Sequence, residues 1–409
     1  MEIGALLRAA GRNKTGPLLV AAQMAIGLMI FANVAYIVVF RLEATARPTG
    51  MDTANMFWLT SEGYGSSYDH AATTQADLIY LNSIPGVIAA SISSALPQTF
   101  AGMILSVSTE PAGNGAKTLV VYYQMSQRAA ETLGLNLVSG RALHADTVVN
   151  GKSDTTSTQV DPASEVLITE ALAHALFGNE PALGKTVYVG LIDKSKTVVG
   201  VVESMQAAPY FGPQAEFVNR VMLVPSIGSG PSALYIVRTR PGERDDVMRT
   251  VERDFESRLP NRYLDRIERF DYTAALTRAP MRTGAVILIV VAVCVLAVTA
   301  LGIFGLAAFT VTSRVRQIGT RRALGARKFH ILRYFVIENW LVMTLGVLAG
   351  CALSVALGLK LAAALQMPRL PLIYIAAGVL VIWVVGTLAA LVPAMRAAAI
   401  SPAIATKSV

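Results

Sequence analysis

Four long apolar stretches constrain this chain more than any other feature. Pro17 to Phe40, Gly284 to Thr312, Phe335 to about Leu365 and Leu372 to Val392 are nearly free of charge. Crossing a bilayer takes about 20 apolar residues as helix. In hydrocarbon each backbone amide must find its partner within its own segment, so the expected form of all four is a membrane-spanning helix. The first stretch holds Gln23 and Asn33 as its strongly polar residues. The third holds Glu338 near its start and Lys360 near its end. A hydrophobic fraction of 53% with 15% charged residues agrees, being too apolar for an ordinary soluble chain.

The first stretch also resembles a signal peptide, with Arg8, Arg12 and Lys14 before it and Ala44-Thr45-Ala46 as a cleavage-like site. Its apolar run exceeds the roughly 7–15 residues of a signal core, and Pro48 follows the would-be cut. It is therefore read as an uncleaved anchor.

Charge sets the orientation. The strip 313–334 carries Arg314, Arg316, Arg321, Arg322, Arg327, Lys328 and Arg333 and no acid, and the tail carries Arg396 and Lys407. Short loops rich in Lys and Arg stay in the cytoplasm. Residues 1–16, the strip 313–334 and the tail 393–409 are then cytoplasmic, and 41–283, where acids outnumber bases, lies outside. The spans are 17–40, 284–312, 335–365 and 372–392. The net charge of +8 is thus a topology signal, which removes nucleic acid as a partner. Cys294 and Cys351 both fall in spans and read as small apolar residues, so the outer segment needs no disulfide.

The outer segment is long enough to bury a core, and its pattern is mixed α/β. Asn55–Thr60, Lys117–Ser126, Lys185–Leu191, Lys196–Ser204 and Ala233–Arg240 read as strands. Ser164–Gly178 begins as a strand and continues as a helix ending at glycine. Val247, Val251, Phe255 and Leu259 recur at helical spacing within Gly242–Leu259, which predicts an amphipathic helix. Asp146–Asp161 reads as a flexible loop. "GNEPALGKT" (Gly178–Thr186) imitates a phosphate-binding loop, but five residues separate its glycines where four are needed. Asn179 stands where the glycine belongs, and a strand rather than a helix should follow, so the expectation is a helix-end turn. His70, His144, His174 and His330 show no ligand spacing, and no serine has a nucleophile-elbow context. No catalytic residue and no metal site are expected.

Within the strip, Val315, Ile318, Phe329, Leu332 and Phe335 are apolar at near-helical spacing, and Gly325 interrupts them. A helix leaving the membrane, a turn at Leu324–Ala326 and a second helix re-entering are expected. The cations fit either an anchor on anionic lipid heads or a docking surface for a cytoplasmic partner. Intramembrane acids are functional candidates by default. For Glu338 the milder reading is preferred: an acid near the start of its helix, favoured by the helix dipole. Gly346, Gly350, Ser354 and Gly358 are spaced four apart and give the third span one smooth face. That face suits packing within the chain or between two chains.

These motifs together resemble the MacB/FtsX superfamily of ABC transporter permeases, also called type VII. "RQIGTRRALGARKFHILRYFVIE" (Arg316–Glu338) is similar to the family's R-x-I-G-x-R-[RK]-A-L-G-A signature with its later glutamate. "VPAMRAAAISPAIA" (Val392–Ala405) is similar to its tail, except for Ala405-Thr406 where Ala-Leu is common. "LGLNLVSGRAL" and "VLITEALAHALFGNEPALGKTV" resemble outer-domain landmarks. The resemblance implies a membrane protein with four transmembrane helices, arranged one plus three, and a large mixed α/β extracytoplasmic domain. That domain would have two subdomains on helical stalks, the second inserted into the first. It implies a cytoplasmic segment that docks on an ABC ATPase through Arg314, Arg316, Ile318, Gly319, Arg321, Arg322, Leu324, Gly325, Arg327 and Lys328. Glu338 matches the family's glutamate. ATP and Mg would bind the partner ATPase and no cofactor this chain. With no ATP-binding cassette in these residues, a separate ATPase subunit is expected. Further implied partners are a second permease, identical or paralogous, a membrane-fusion adaptor and an outer-membrane channel, all at a bacterial inner membrane. The implied function is mechanotransmission: hydrolysis moves the outer domain and drives efflux. The alternatives are an FtsX-like transmitter acting on an extracytoplasmic enzyme, lipoprotein release, or a membrane-anchored enzyme.

Overall fold

A computed structural model describes residues 15–400, apart from 127, 144–148, 151–163, 191–193, 209–216, 228–229, 259–260 and 366. His144, the terminal cations Arg8, Arg12, Lys14 and Lys407, and the tail motif beyond Ile400 lie outside these residues. So does the stretch Asp146–Asp161, apart from Val149–Asn150. The first described elements are α1 (Thr15–Ala46), β1 (Met56–Gly63), α2 (His70–Ser83), β2 (Val87–Ser93), β3 (Met103–Ser108), β4 (Lys117–Met125), α3 (Ala129–Leu133), β5 (Leu137–Gly140) and β6 (Val149–Asn150). Then come β7 (Glu165–Thr169), α4 (Glu170–Phe177), β8 (Thr186–Val189), β9 (Lys194–Val202), β10 (Val221–Ile227), β11 (Ser232–Thr239), α5 (Arg244–Asp254) and β12 (Arg262–Arg269). The chain continues as α6 (Phe270–Ser313), α7 (Val315–Ala323), α8 (Lys328–Leu365) and α9 (Leu372–Ala399). It divides into an outer unit, Ala44–Pro280, and a helical unit of Met1–Glu43 with Met281–Val409.

The outer unit is built on one continuous mixed sheet in the order β12-β1-β11-β2-β4-β3-β8-β9-β7-β10-β6, with β5 beside β9. The early strands β1 and β2 pair with the late strands β11 and β12, all antiparallel. The stretch from β3 to β10 is therefore inserted between them as a second lobe. Where the lobes join, β2 meets β4 at the single register pair Ser93↔Met125. Each lobe has its own core on one face: Phe57, Leu81, Tyr235, Val251 and Phe255 in the first, and Tyr122, Val166, Ile168, Leu172 and Met222 in the second. A third cluster, with Trp58, Tyr123, Met125, Leu167, Leu223 and Ile236, draws on strands of both lobes. The expected two subdomains are these two lobes: β4 pairs with β3 on one side and, in parallel, with β10 on the other, which closes the second lobe on itself and leaves Ser93↔Met125 as its link to β2.

The local signals have plain causes. In α5, Val247 and Val251 point into the core while Asp245, Asp246, Arg249, Glu252 and Arg253 face water. The Asp69 side chain caps α2 by accepting from Ala72 N at 3.1 Å. Helix α4 closes at Gly178, whose φ is +62, and β8 follows, so Gly178–Thr186 is a helix-end turn and not a phosphate loop. Val149–Asn150 departs from the loop expectation by pairing with Ser226–Ile227 of β10.

One buried polar cluster crosses the first lobe. The Arg262 guanidinium pairs with the Asp77 carboxylate, donates to the Phe255 carbonyl at 2.7 Å and stacks 3.9 Å from the Phe255 ring; Tyr235 donates to Asp77 at 2.7 Å. Burial lifts the Asp77 carboxyl above the ordinary carboxylate range, with the Tyr235 hydroxyl and Arg262 opposing without cancelling it. The opening turns of α6 are tied into this unit. Trp58 donates to Thr273 at 2.8 Å, and Arg278 donates to the buried Gln98.

In the helical unit, α1, α6, α8 and α9 are each long and apolar enough to cross a membrane. They overrun the apolar stretches that mark them in the sequence: α6 begins at Phe270 and passes through Pro280, and α8 begins at Lys328. A helix propagates by its own hydrogen bonds and does not end where the apolar residues do. Val20, Met24 and Leu28 of α1 form a core with Ile303, Met343, Val347, Ile382 and Ala390 of the other three. The smooth face of α8 lies on α1 of the same chain. A Cβ at Gly346 would stand 2.7 Å from the Ala21 carbonyl oxygen, and one at Gly350 3.0 Å from Leu28 Cβ. Farther along, Asn33 donates to the Ser354 carbonyl at 3.2 Å, and Gly358 packs on Leu370. Gln23 donates to the Val298 carbonyl of α6 at 2.7 Å. The two polar residues of the first span are thus clamps to two different helices.

Candidate coupling elbow

Helix α6 stops at Ser313, and Arg314 (φ −116, ψ 17) redirects the chain into α7. Helix α7 ends in a Schellman closure: Ala326 N donates to Arg321 O and Gly325 N to Arg322 O, both at 3.1 Å. This closure needs a left-handed residue, which is Gly325 at φ +95. Helix α8 then starts at Lys328. The result is an elbow of two short arms.

The elbow divides the expected docking residues in two. Ile318 and Gly319 are buried; Ile318 packs with Val311, Ile331 and Ala397, flanked by Phe335 and Ile400. Arg322 donates to the carbonyls of Ala398 at 3.1 Å and Ile400 at 2.8 Å, where α9 ends and its carbonyls lack helical partners. Arg314 donates through one nitrogen to both Glu338 oxygens, at 2.9 and 3.0 Å. These four residues hold the elbow through contacts within the chain, and Arg314 and Ile318 also line the groove between its arms. Arg316, Arg321, Arg327 and Lys328 are exposed, with Leu324 and Phe329 among them at 83% and 66% exposure. Arg321 lies 5.0 Å from the Tyr334 ring. Between the arms opens a groove of about 820 Å³, lined by Gln317, Arg321, Leu324, His330, Arg333 and Tyr334 among others.

The helix-dipole reading of Glu338 is corrected here. Because α8 begins at Lys328, Glu338 lies nearly three turns inside it, beyond the first turn where the dipole acts. Its carboxylate pairs with Arg314, one of the residues expected to dock. No spacing rule links the two residues, since a turn and two helical segments separate them. Nor does any sequence signal show that Arg322 reaches the end of α9.

Residues 19–253 match the family described as MacB-like periplasmic core domain, and residues 289–402 match that described as FtsX-like permease C-terminal. This chain belongs to the MacB/FtsX permease family. It is 28% identical over 268 residues to the macrolide export ATP-binding/permease protein MacB of Aggregatibacter actinomycetemcomitans, covering 64% of this chain and 38% of that protein. With the MacB of Wolinella succinogenes it shares 30% over 264 residues, covering 60% and 39%. The chain therefore spans well under half the length of the curated relatives it matches. The crystal structure of the periplasmic region of MacB from Actinobacillus actinomycetemcomitans aligns with 57% of this chain and 97% of its own, at 16% identity and a TM-score of 0.34. In this MacB/FtsX permease the family-matched segments correspond to the described parts: the core-domain match runs from α1 into α5, and the permease match covers most of α6 and all of α7 to α9.

Proposed function

We propose that this MacB/FtsX permease converts ATP hydrolysis by an ABC ATPase, located outside these 409 residues, into movement of its outer unit. The observation that carries this reading is the exposed face of the elbow, where Leu324 and Phe329 stand among Arg316, Arg321, Arg327 and Lys328. Two large apolar side chains within a cationic rim are what a protein partner with an acidic groove would bury. ATP and Mg are bound by that ATPase. The unbroken helix α6 gives the motion a covalent route from the elbow to the outer unit. We place the chain in a bacterial inner membrane, with both ends and the elbow cytoplasmic and the outer unit in the periplasm, on the charge distribution along the sequence.

The permease acts as a pair, with itself or a paralogue, and drives export together with a membrane-fusion adaptor and an outer-membrane channel. Its relatives among the macrolide export proteins make macrolides the first class of substrate to try. The test is affinity purification from the native host in mild detergent, with every co-purifying chain identified. An ATPase together with an adaptor is expected, and the absence of any ATPase would overturn the reading. A cell-wall enzyme in place of the adaptor would convert export into signal transmission. Charge reversal at Arg316, Arg321 and Arg327 should remove the ATPase from the purified complex while leaving the permease in the membrane.

A further inference from the structure

We propose that Arg314 and Glu338 form a latch that fixes the direction of α7, so that the elbow moves as one body with α8 and α9. The inference deepens the coupling role proposed above, and it rests on that reading only in its hydrolysis arm.

Arg314 is the residue at which the helical path breaks between α6 and α7. A pair at the break controls the angle of everything beyond it. Helix α7 has nine residues and so is a lever about 13 Å long at 1.5 Å per residue. A small change of angle at Arg314 displaces Arg321 and Leu324 at the far end. The partner of Arg314 is well placed to resist that change. Glu338 sits within the long helix α8, in an apolar run, with the pair about three-quarters buried (side-chain exposures of 28% and 23%). Charges at such a depth attract strongly, and removal of one leaves the other unpaired in a poor solvent. The Glu338 oxygens accept from a single guanidinium nitrogen, so the contact is a point-charge contact and not a planar fork.

The opposite end of α7 is fastened separately. Arg322 caps the end of α9, and Ile318 is buried between them against Ile331 and Ala397. The lever is therefore joined by backbone to α6, by the ion pair to α8 and by Arg322 to α9. A push on the exposed cations has to move three spans together. Glu338 becomes the positioning residue of the elbow.

The experiment uses the full-length permease in nanodiscs and compares E338Q, R314Q, R314K and the swap R314E/E338R with wild type. Hydrogen exchange of the amides from Val315 to Leu324 reads the latch without any ATPase. E338Q and R314Q should exchange about tenfold faster there, the equivalent of about 1.4 kcal/mol. R314K, which keeps one cationic nitrogen, should retain most of the protection, and the swap should regain it. Unchanged exchange in E338Q and R314Q would overturn the latch. So would a swap variant and an R314K variant that both exchange as fast as the neutral ones. Permease-stimulated ATP hydrolysis, measured on the same variants with the co-purified ATPase, should fall and recover in parallel. Exchange that follows the pair while hydrolysis ignores every variant would keep the latch and sink the coupling reading instead.

Discussion

The outer unit is filled by Trp58, Tyr122, Tyr235 and Phe255, whereas in the helical unit glycines let helices approach closely. Gly346, Gly350 and Gly378 each bring a helix backbone against Ala21, Leu28 or their neighbours on α1. The solvent explains the contrast. In water, large apolar side chains gain by leaving solvent, so bulk in the core stabilises. In lipid that gain vanishes, because the acyl chains are as apolar as leucine. Close backbone approach and interhelical hydrogen bonds take over. Polar groups are placed accordingly. The outer unit buries a charged pair with a tyrosine, Asp77, Arg262 and Tyr235; the bundle uses single amides, Gln23 and Asn33, as clamps and keeps its charged pair, Arg314 and Glu338, at the elbow.

This contrast can be broken at four places, in falling order of effect. Arg262→Met strands the Asp77 carboxylate in a dry core and should cost about 3–5 kcal/mol. The check is unfolding of the full chain followed by Trp58 fluorescence in a W340F/W383F background. Asp77 also sets a pH signature. The folded chain holds its proton more tightly than the unfolded chain, since burial raises its pKa. Its contribution is then fully present in acid below the unfolded value and is lost as pH climbs through the raised value. In D77N that loss should disappear from the stability–pH curve, and a curve that matches wild type would show the direction to be wrong.

In the bundle, Gly346→Leu drives a side chain into α1 and should cost about 1–3 kcal/mol. Gly305→Leu, at a site with nothing within 4 Å, should leave the melt of the detergent-solubilised protein unchanged. Equal melts for the two would mean that the smooth face is not a packing face. Asn33→Ala should cost roughly 0.6–2 kcal/mol by loss of one interhelical hydrogen bond, read in the same melt. Arg249→Ala removes an exposed pair with Asp246 (side chains 75% and 74% exposed) and should change stability by less than about 1 kcal/mol.

The helical unit was the more legible half. Its apolar runs, the turn at Gly325 and the small face of α8 are all written in local composition and spacing. The outer unit was read in part. Strands such as Lys117–Met125 and the strand–helix–glycine run through Gly178 follow period and terminal residues. Helix α2 escaped notice because its threonines and alanines carry little apolar periodicity; it forms because Leu81 finds the first-lobe core. β12, with Arg and Glu along much of its length, gives no strand signal and is fixed by pairing with β1.

At the elbow the division is sharpest. The sequence by itself determined that a strip with seven cations and no acid sits between two membrane helices, and that Gly325 turns it, because charge, hydropathy and φ preference are properties of single residues and short spans. It did not say which cations stand exposed and which pair within the chain. Arg314 and Arg322 look the same as Arg316 and Arg321 until α8 and α9 bring Glu338 and the carbonyls of Ala398 and Ile400 within hydrogen-bonding reach. Which side of α8 covers α1, and which charges are spent inside the fold, depend on contacts between residues far apart in the chain, and the tertiary structure alone decides those.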